Sequence, residues 1–297
     1  EEKLGLHASP TCQLSFEEAA AEMVGQPGEG LKAMFVMMNH ARIDVALQGV
    51  AHAARACDIS SEFAARRVQG RHPGTALPVS IEAHGDVRRM LQEQETLTVS
   101  GRALCYLVLV MLDEGQNPEL MDFLTPVCKF YCSAAGIRAA NLGIQVLGGY
   151  GYLREYSVEQ VLRDARITAL YEGTNGIQAT TLAGRLLRQR GGSAAAAFEF
   201  WIDGIIAGST GPGALALAEV KRLWVAARNR VQASDDPGTH AHAFMQLTAS
   251  LACLAAWQLI VTQCESGASH PARLPELARL QFHKLPREAE YWAAMLV

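Results

Sequence analysis

The chain has 297 residues, 49% of them apolar and 19% charged, with a formal net charge of −4. That balance excludes a disordered chain and allows a sizeable packed core, in one large or two smaller domains. The weak negative charge, with no run of Lys or Arg, excludes an electrostatic footprint for nucleic acid.

Residues 1–28 carry the alternation Thr11-Cys12-Gln13-Leu14-Ser15-Phe16, followed by Gly25, Pro27 and Gly28. Alternation bounded by turn residues predicts a short strand and a loop, the one β-like stretch of the chain. From Leu31 the apolar period changes: Met34, Met37, Met38, Ala41 and Val45 recur at helical spacing. This predicts a helix over 31–68 with the methionines in the core. Asn39, His40 and Arg42 are its polar interruptions, and Arg66-Arg67-Val68-Gln69-Gly70-Arg71 is a basic end that opposes the helix dipole.

A loop bearing Pro and Gly over 72–83 precedes helices predicted over 84–113 and 121–147, separated at Gln116-Asn117-Pro118. A short helix follows over 158–165 and another over 174–187, for which Thr174 is a credible N-cap. Successive long helices predict an all-α fold, an up-and-down bundle. The segment 188–193 (RQRGGS) reads as a linker, and four further helices are predicted over 195–207, 213–233, 240–265 and 277–295. With Trp201, Trp224, Trp257 and Trp292 among them, they form an extra C-terminal bundle packed on the first. The expected division is 1–28, 29–190 and 191–297.

The longest apolar stretch, 247–264, is interrupted by polar residues and reads as a buried helix, so no membrane span is expected. Seven scattered cysteines fit reduced core thiols in a cytoplasmic protein. Cys128 and Cys132 lie one helical turn apart, but no His or second Cys pair completes a metal set, and no metal site is expected. His240 and His242 read as helix-start or surface residues. The opening Glu1-Glu2-Lys3 lacks a signal-peptide pattern, and the missing initiator Met suggests a start inside a longer protein.

The most informative stretch runs from Gln145 to Gln178: a glycine turn (Gly148, Gly149, Gly151), the segment Arg163 to Arg166, and Tyr171-Glu172-Gly173-Thr174 before Ile177-Gln178. The glycines do not satisfy a dinucleotide fingerprint and read as a tight turn between helices. Glu172 reads either as a carboxylate opposing a helix dipole or as a base placed beside a helix N-terminus.

Those residues resemble the C-terminal signature of the acyl-CoA dehydrogenase family, and weaker similarity over the whole chain points to its long, 3-methylmercaptopropionyl-CoA dehydrogenase-like branch. The resemblance implies the family's C-terminal helical bundle, preceded by the last strand of a central β-domain, and FAD-dependent α,β-dehydrogenation of an acyl-CoA thioester. It makes Glu172 the catalytic base. It assigns FAD contacts to Arg66, Gln145, Gly148 and Gly149 from one subunit and to Thr174 and Gln178 from the other, hence a homodimer or a dimer of dimers. Asn39, Arg42 and Gly173 would border the acyl-CoA, and an electron-transfer flavoprotein would accept the electrons. The family's N-terminal helical domain and most of its β-domain have no counterpart in this sequence. A fragment or partial subunit is therefore expected, with a non-catalytic assembly module as the alternative reading.

Overall fold

Three long runs of helix-forming sequence lie between turn signals, and each ends where backbone chemistry requires. In the computed structural model, which describes residues 1–74, 76–267 and 269–296, they are α1 (Gly30–Arg66), α2 (Gly85–Glu114) and α3 (Pro118–Leu147). Gly115 closes α2 at φ 61°, Asn117 follows at φ 49°, and Pro118 starts α3 at the position where a missing N–H costs nothing. Thr75, within the expected 72–83 loop, lies outside the described residues.

The three helices run up, down and up. Gln94 of α2 donates from Nε2 to Ser60 Oγ (3.0 Å) on α1 and to the Ala139 carbonyl (2.8 Å) on α3, whereas Cys105, eleven residues later, meets Cys128. α1 and α3 are therefore parallel, and they touch backbone to backbone. A Cβ on Gly49 would stand 2.2 Å from the Cys132 carbonyl oxygen, and one on Gly136 would stand 2.7 Å from the Gly49 carbonyl oxygen. Only glycine fits at this crossing.

The chain continues through α4 (Val158–Ala165) and α5 (Asn175–Thr180), which runs into a π-helical turn over Thr181–Leu186. Then come α6 (Ser193–Ala207), α7 (Gly211–Ala233), α8 (Pro237–Glu265) and α9 (Leu274–Ala294). α2 and α8 are long and apolar enough to cross a bilayer, yet 78% of the apolar window of α8 is buried in the bundle. α8 is a core helix.

The last four helices share their core with the first three. Phe123 of α3 stacks on Phe198 of α6 at 4.7 Å between ring centroids, Phe198 meets Trp224 of α7 at 5.2 Å, and Trp224 meets Phe244 of α8 at 5.9 Å. The buried Trp257 indole on α8 donates to Ser100 Oγ on α2 at 2.8 Å. Arg188 donates to the Val231 and Gln232 carbonyls in the last turn of α7 and to that of Ser234 just beyond it, where helix carbonyls run out of intrahelical partners. One hydrophobic cluster therefore runs across the 190/191 boundary.

Two expectations change. No strand forms at 11–16; among the described residues the sole β pairing joins Val68 to Ser80. A strand needs a partner ladder, none forms among the described residues, and Leu14 and Phe16 lie exposed. The segment is tied down only near its start, where the Leu6 N–H donates to Asp164 Oδ1 at 2.7 Å and the Arg163 guanidinium donates to the Leu4 carbonyl. The start of the methionine stripe is not core: Leu31, Met34, Phe35 and Met37 are exposed on the first turns of α1, while Met38 and Ala41 are half-buried and Val45 is buried.

Gly49→Ala forces α1 and α3 apart and is expected to cost at least about 1–3 kcal/mol in thermal or urea unfolding. Gly204→Ala, inside α6 with nothing within 4 Å of its Cβ position, is expected to be neutral or to stabilise by up to about 1 kcal/mol. Equal stability of the two variants would contradict the glycine crossing.

Candidate active site

Arg42 stands seven residues before Gly49 on α1, and Lys129 stands seven residues before Gly136 on α3. Because the helices are parallel and meet at those glycines, both cations sit about 10 Å below the crossing, at the same height. The loop before α5 passes between them.

Glu172 in that loop has φ 54°, in the left-handed region that a residue with a Cβ rarely adopts, and Gly173 has φ 86°. The two carbonyls are held from several sides. Arg42 Nε donates to the Glu172 carbonyl at 3.4 Å, and Gln178 Nε2 donates to the Glu172 and Gly173 carbonyls at 3.2 and 3.1 Å. Lys129 Nζ donates to the Gly173 carbonyl at 2.9 Å and to Asn175 Oδ1 at 3.0 Å; Ser133 Oγ also donates to Asn175 Oδ1 at 3.1 Å. Thr174 Oγ1 caps α5 by accepting from the Ile177 N–H at 3.2 Å. Tyr171 hydroxyl donates to Gln48 Oε1. The loop is over-determined, which allows an unfavourable φ to persist at Glu172.

The electrostatics are those of two desolvated cations beside one carboxylate. Lys129 is fully buried, and burial, with Arg42 adding to it, lowers its pKa from 10.5 to about 8 while Glu172 pulls the other way. Burial likewise lowers Arg42, with like-charge Arg185 adding to the effect and Glu172 opposing it. Burial raises the Tyr171 hydroxyl, against its hydrogen bond to Gln48. A cavity of about 290 Å³ shares Arg42 with the site and is lined by Asn39, His40, Asp122, Arg185 and Arg190 among others. Asn39 Oδ1 accepts from Arg42 Nη1 at 3.2 Å, so Asn39 orients this guanidinium.

The structure thus brings Glu172, Gly173, Thr174, Gln178, Arg42 and Asn39 together. Gln178 is turned inward and fully buried, with its amide on the loop carbonyls, and its Oε1 has no hydrogen-bond partner among the described residues. It positions the loop and presents no exposed surface to a cofactor.

The remaining candidates stand elsewhere. Arg66 is the last residue of α1, exposed and paired with Glu62 at 2.9 Å. It lines a cleft of about 510 Å³ with Arg67, Phe63, Leu147 and Tyr156. Gln145, Gly148 and Gly149 are exposed at the adjoining end of α3, where Gly148 has φ 62° and a Cβ on either glycine would meet nothing within 4 Å. Gln69 shapes the loop beyond, its N–H donating to the Val79 carbonyl at 3.0 Å. About 24 residues of α1 separate Arg66 from Arg42, hence about 36 Å along the axis. Gln145 stands about 24 Å from Lys129 along α3, so the two groups lie at different levels of the bundle.

Lys129 and Asn175 had not been singled out in the sequence. A charged residue within the apolar run Pro126-Val127-Cys128-Lys129-Phe130-Tyr131 was the available signal for the first.

Residues 28–187 match the family model described as acyl-CoA dehydrogenase, C-terminal domain. The chain is 38% identical to the 3-methylmercaptopropionyl-CoA dehydrogenase of Ruegeria pomeroyi, over 94% of this chain and 50% of that protein. Among solved structures, an acyl-CoA dehydrogenase from Bacillus anthracis complexed with FAD shares the fold over 100% of this chain and 55% of its own, with TM-score 0.82 at 20% identity. Butyryl-CoA dehydrogenase of Megasphaera elsdenii matches over 63% of this chain and 47% of its own, with TM-score 0.57 at 30% identity. The chain spans about half the length of the curated relatives it matches.

Lys129 provides two checks. Its buried amine binds no proton above about pH 8, while in the unfolded chain it keeps one up to 10.5. Its burial therefore costs stability in full below about pH 8, and the cost fades as pH rises toward 10.5. Lys129→Met should flatten the rise in unfolding free energy over that window; an unchanged slope contradicts the assignment. The same variant removes a charged hydrogen bond worth about 1.5–3 kcal/mol, so amide exchange at 173–176 should accelerate by roughly tenfold or more, and unaltered exchange would sink the clamp.

Proposed function

Because the chain belongs to the acyl-CoA dehydrogenase family, we infer that it is the base-bearing C-terminal half of an FAD-dependent acyl-CoA dehydrogenase, one that converts an acyl-CoA thioester to the 2-enoyl-CoA. The observation that carries this reading is Glu172 itself. A carboxylate-bearing residue is held in a rare backbone conformation by three side chains from three helices, one of which, Arg42, also lines a cationic cavity.

The α-hydrogen of a thioester is weakly acidic, so its removal needs a base fixed within reach and partial charge to meet the developing enolate. Glu172 takes the α-proton. The clamp of Arg42, Lys129 and Gln178 on the carbonyls of Glu172 and Gly173 fixes where that carboxylate starts from. Arg42, Arg185 and Arg190 make the cavity a place for an anionic ligand, against the single carboxylate of Asp122. That favours the CoA portion of the substrate, with Asn39, Arg42 and Gly173 bordering it. Arginine's planar fork suits phosphate.

FAD, when bound, accepts the second hydrogen. The residues fit it as two half-sites. The open glycines Gly148 and Gly149 permit close backbone approach beside the exposed Arg66 and Gln145, and Thr174 stands exposed next to Glu172. The groups stand from about 24 Å (Gln145 to Lys129) to about 36 Å (Arg66 to Arg42) apart along one chain, which favours a cofactor shared between two copies. We therefore assign a homodimer, or a dimer of dimers, in a cytoplasmic enzyme that passes electrons to an electron-transfer flavoprotein.

Glu172→Gln, introduced into an acyl-CoA-active polypeptide that contains this sequence, should lower kcat by roughly 10²- to 10⁴-fold while flavin absorbance and oligomeric mass stay unchanged. A variant that retained full turnover would leave the chain as an assembly module.

A further inference from the structure

The bundle core holds a cluster of nucleophilic side chains that the site above does not use. Cys105 of α2 meets Cys128 and Cys132 of α3 at 3.6 and 3.7 Å between sulfurs, and Cys128 and Cys132 are 4.0 Å apart, all three buried. The sequence offered only the pair on α3. The third thiol arrives because Gly101, one turn before Cys105, lets α2 close on the others: a Cβ there would stand 3.0 Å from Val50 Cγ2 and 3.4 Å from Cys132 Sγ. The centre of such a triangle lies about 2.2 Å from each sulfur, close to a metal–thiolate bond length.

Charge decides what could occupy it. Among the described residues the hydrogen-bond partners of the three thiols are one another and the Gly101 carbonyl, with no Lys, Arg or His among them. Three thiolates would leave a net charge of about −2 around a monovalent ion and about −1 around a divalent one, in a low-dielectric core where unpaired charge is costly. A trivalent centre gives a neutral complex.

We propose that Cys105, Cys128 and Cys132 form a site for a trivalent thiophilic metalloid of the arsenite class, bound as a neutral tris-thiolate that ties α2 to α3. Arsenous acid brings its own proton acceptors. Each of its three hydroxides leaves as water with one thiol proton, three As–S bonds replace three As–O bonds, and arsenic stays trivalent, so no oxidant or reductant is needed. Because the sulfurs are buried, uptake requires α2 to separate from α3 and accompanies folding.

The test is to refold the whole chain with sodium arsenite and a phosphine reductant, desalt it, and measure bound arsenic and free thiols. One arsenic per chain is expected, with three of the seven cysteines lost to thiol reagents and three sulfur neighbours in the arsenic X-ray absorption spectrum. Cys105→Ala should weaken retention roughly a hundredfold by removing one arm of the chelate, and Cys128→Ala gives the same reading where the first variant folds poorly by circular dichroism. Cys253→Ala and Cys12→Ala should retain arsenic. Folded wild type without arsenic, retention unaltered in both triangle variants, or displacement of arsenic by equimolar Zn²⁺ would each overturn the proposal.

Discussion

The backbone contact of Gly49 with Gly136 sets the separation of α1 and α3, and the candidate site follows from it. At this crossing neither helix carries a Cβ, so the helices approach until carbonyl oxygen meets Cα. Two turns below on each helix, Arg42 and Lys129 are brought to one height, where a single loop receives a hydrogen bond from each. A wider separation would leave Lys129 buried without the Gly173 carbonyl, an expensive state for an ammonium group. Small residues at one level thus permit charged residues at another.

The same geometry explains how an unfavourable backbone is held at Glu172. Its positive φ costs on the order of 1 kcal/mol, and nothing in the local sequence offsets that: α5 has six residues before the π-helical turn and little cooperativity of its own. The stabilisation comes from long-range donors on α1 and α3, with Gln178 adding its amide from within. Gly173 then has to be glycine on two counts, a φ of 86° and a Cβ position 2.8 Å from Gln178 Nε2. The charge arrangement and the loop conformation are one feature, since the residues that create the field also hold the backbone.

Much of this was legible in the sequence, for reasons that differ by element. Helical period, the glycine and proline at Gly115 and Pro118, and the cap at Thr174 are local signals, and the helices fall within a few residues of where those signals place them. The signature around Glu172 identified the family. Contacts between distant segments were not legible. The alternation at 11–16 is a sound strand pattern, but no partner ladder forms for it among the described residues. Met34 and Met37 have core spacing and no core to face. Lys129 and Cys105 gain their partners only when α2 and α3 pack, and the tail's aromatic residues join the first bundle's core through Phe123.

The flavin assignment rests on distance. Arg66, Gln145, Gly148 and Gly149 lie toward one end of the bundle, from about 24 Å (Gln145 to Lys129 along α3) to about 36 Å (Arg66 to Arg42 along α1) from the residues that hold the Glu172 loop, so the account assigns a common ligand to two copies. Flavin titration of the purified chain, followed by visible absorbance with sedimentation mass measured on the same sample, tests this directly. The account predicts that flavin binds only to a species of at least two chains, and that Arg66→Ala and Thr174→Ala each weaken binding though they sit at different levels of a protomer. Flavin bound stoichiometrically to a monomer, or no flavin bound by a well-folded dimer, would contradict it.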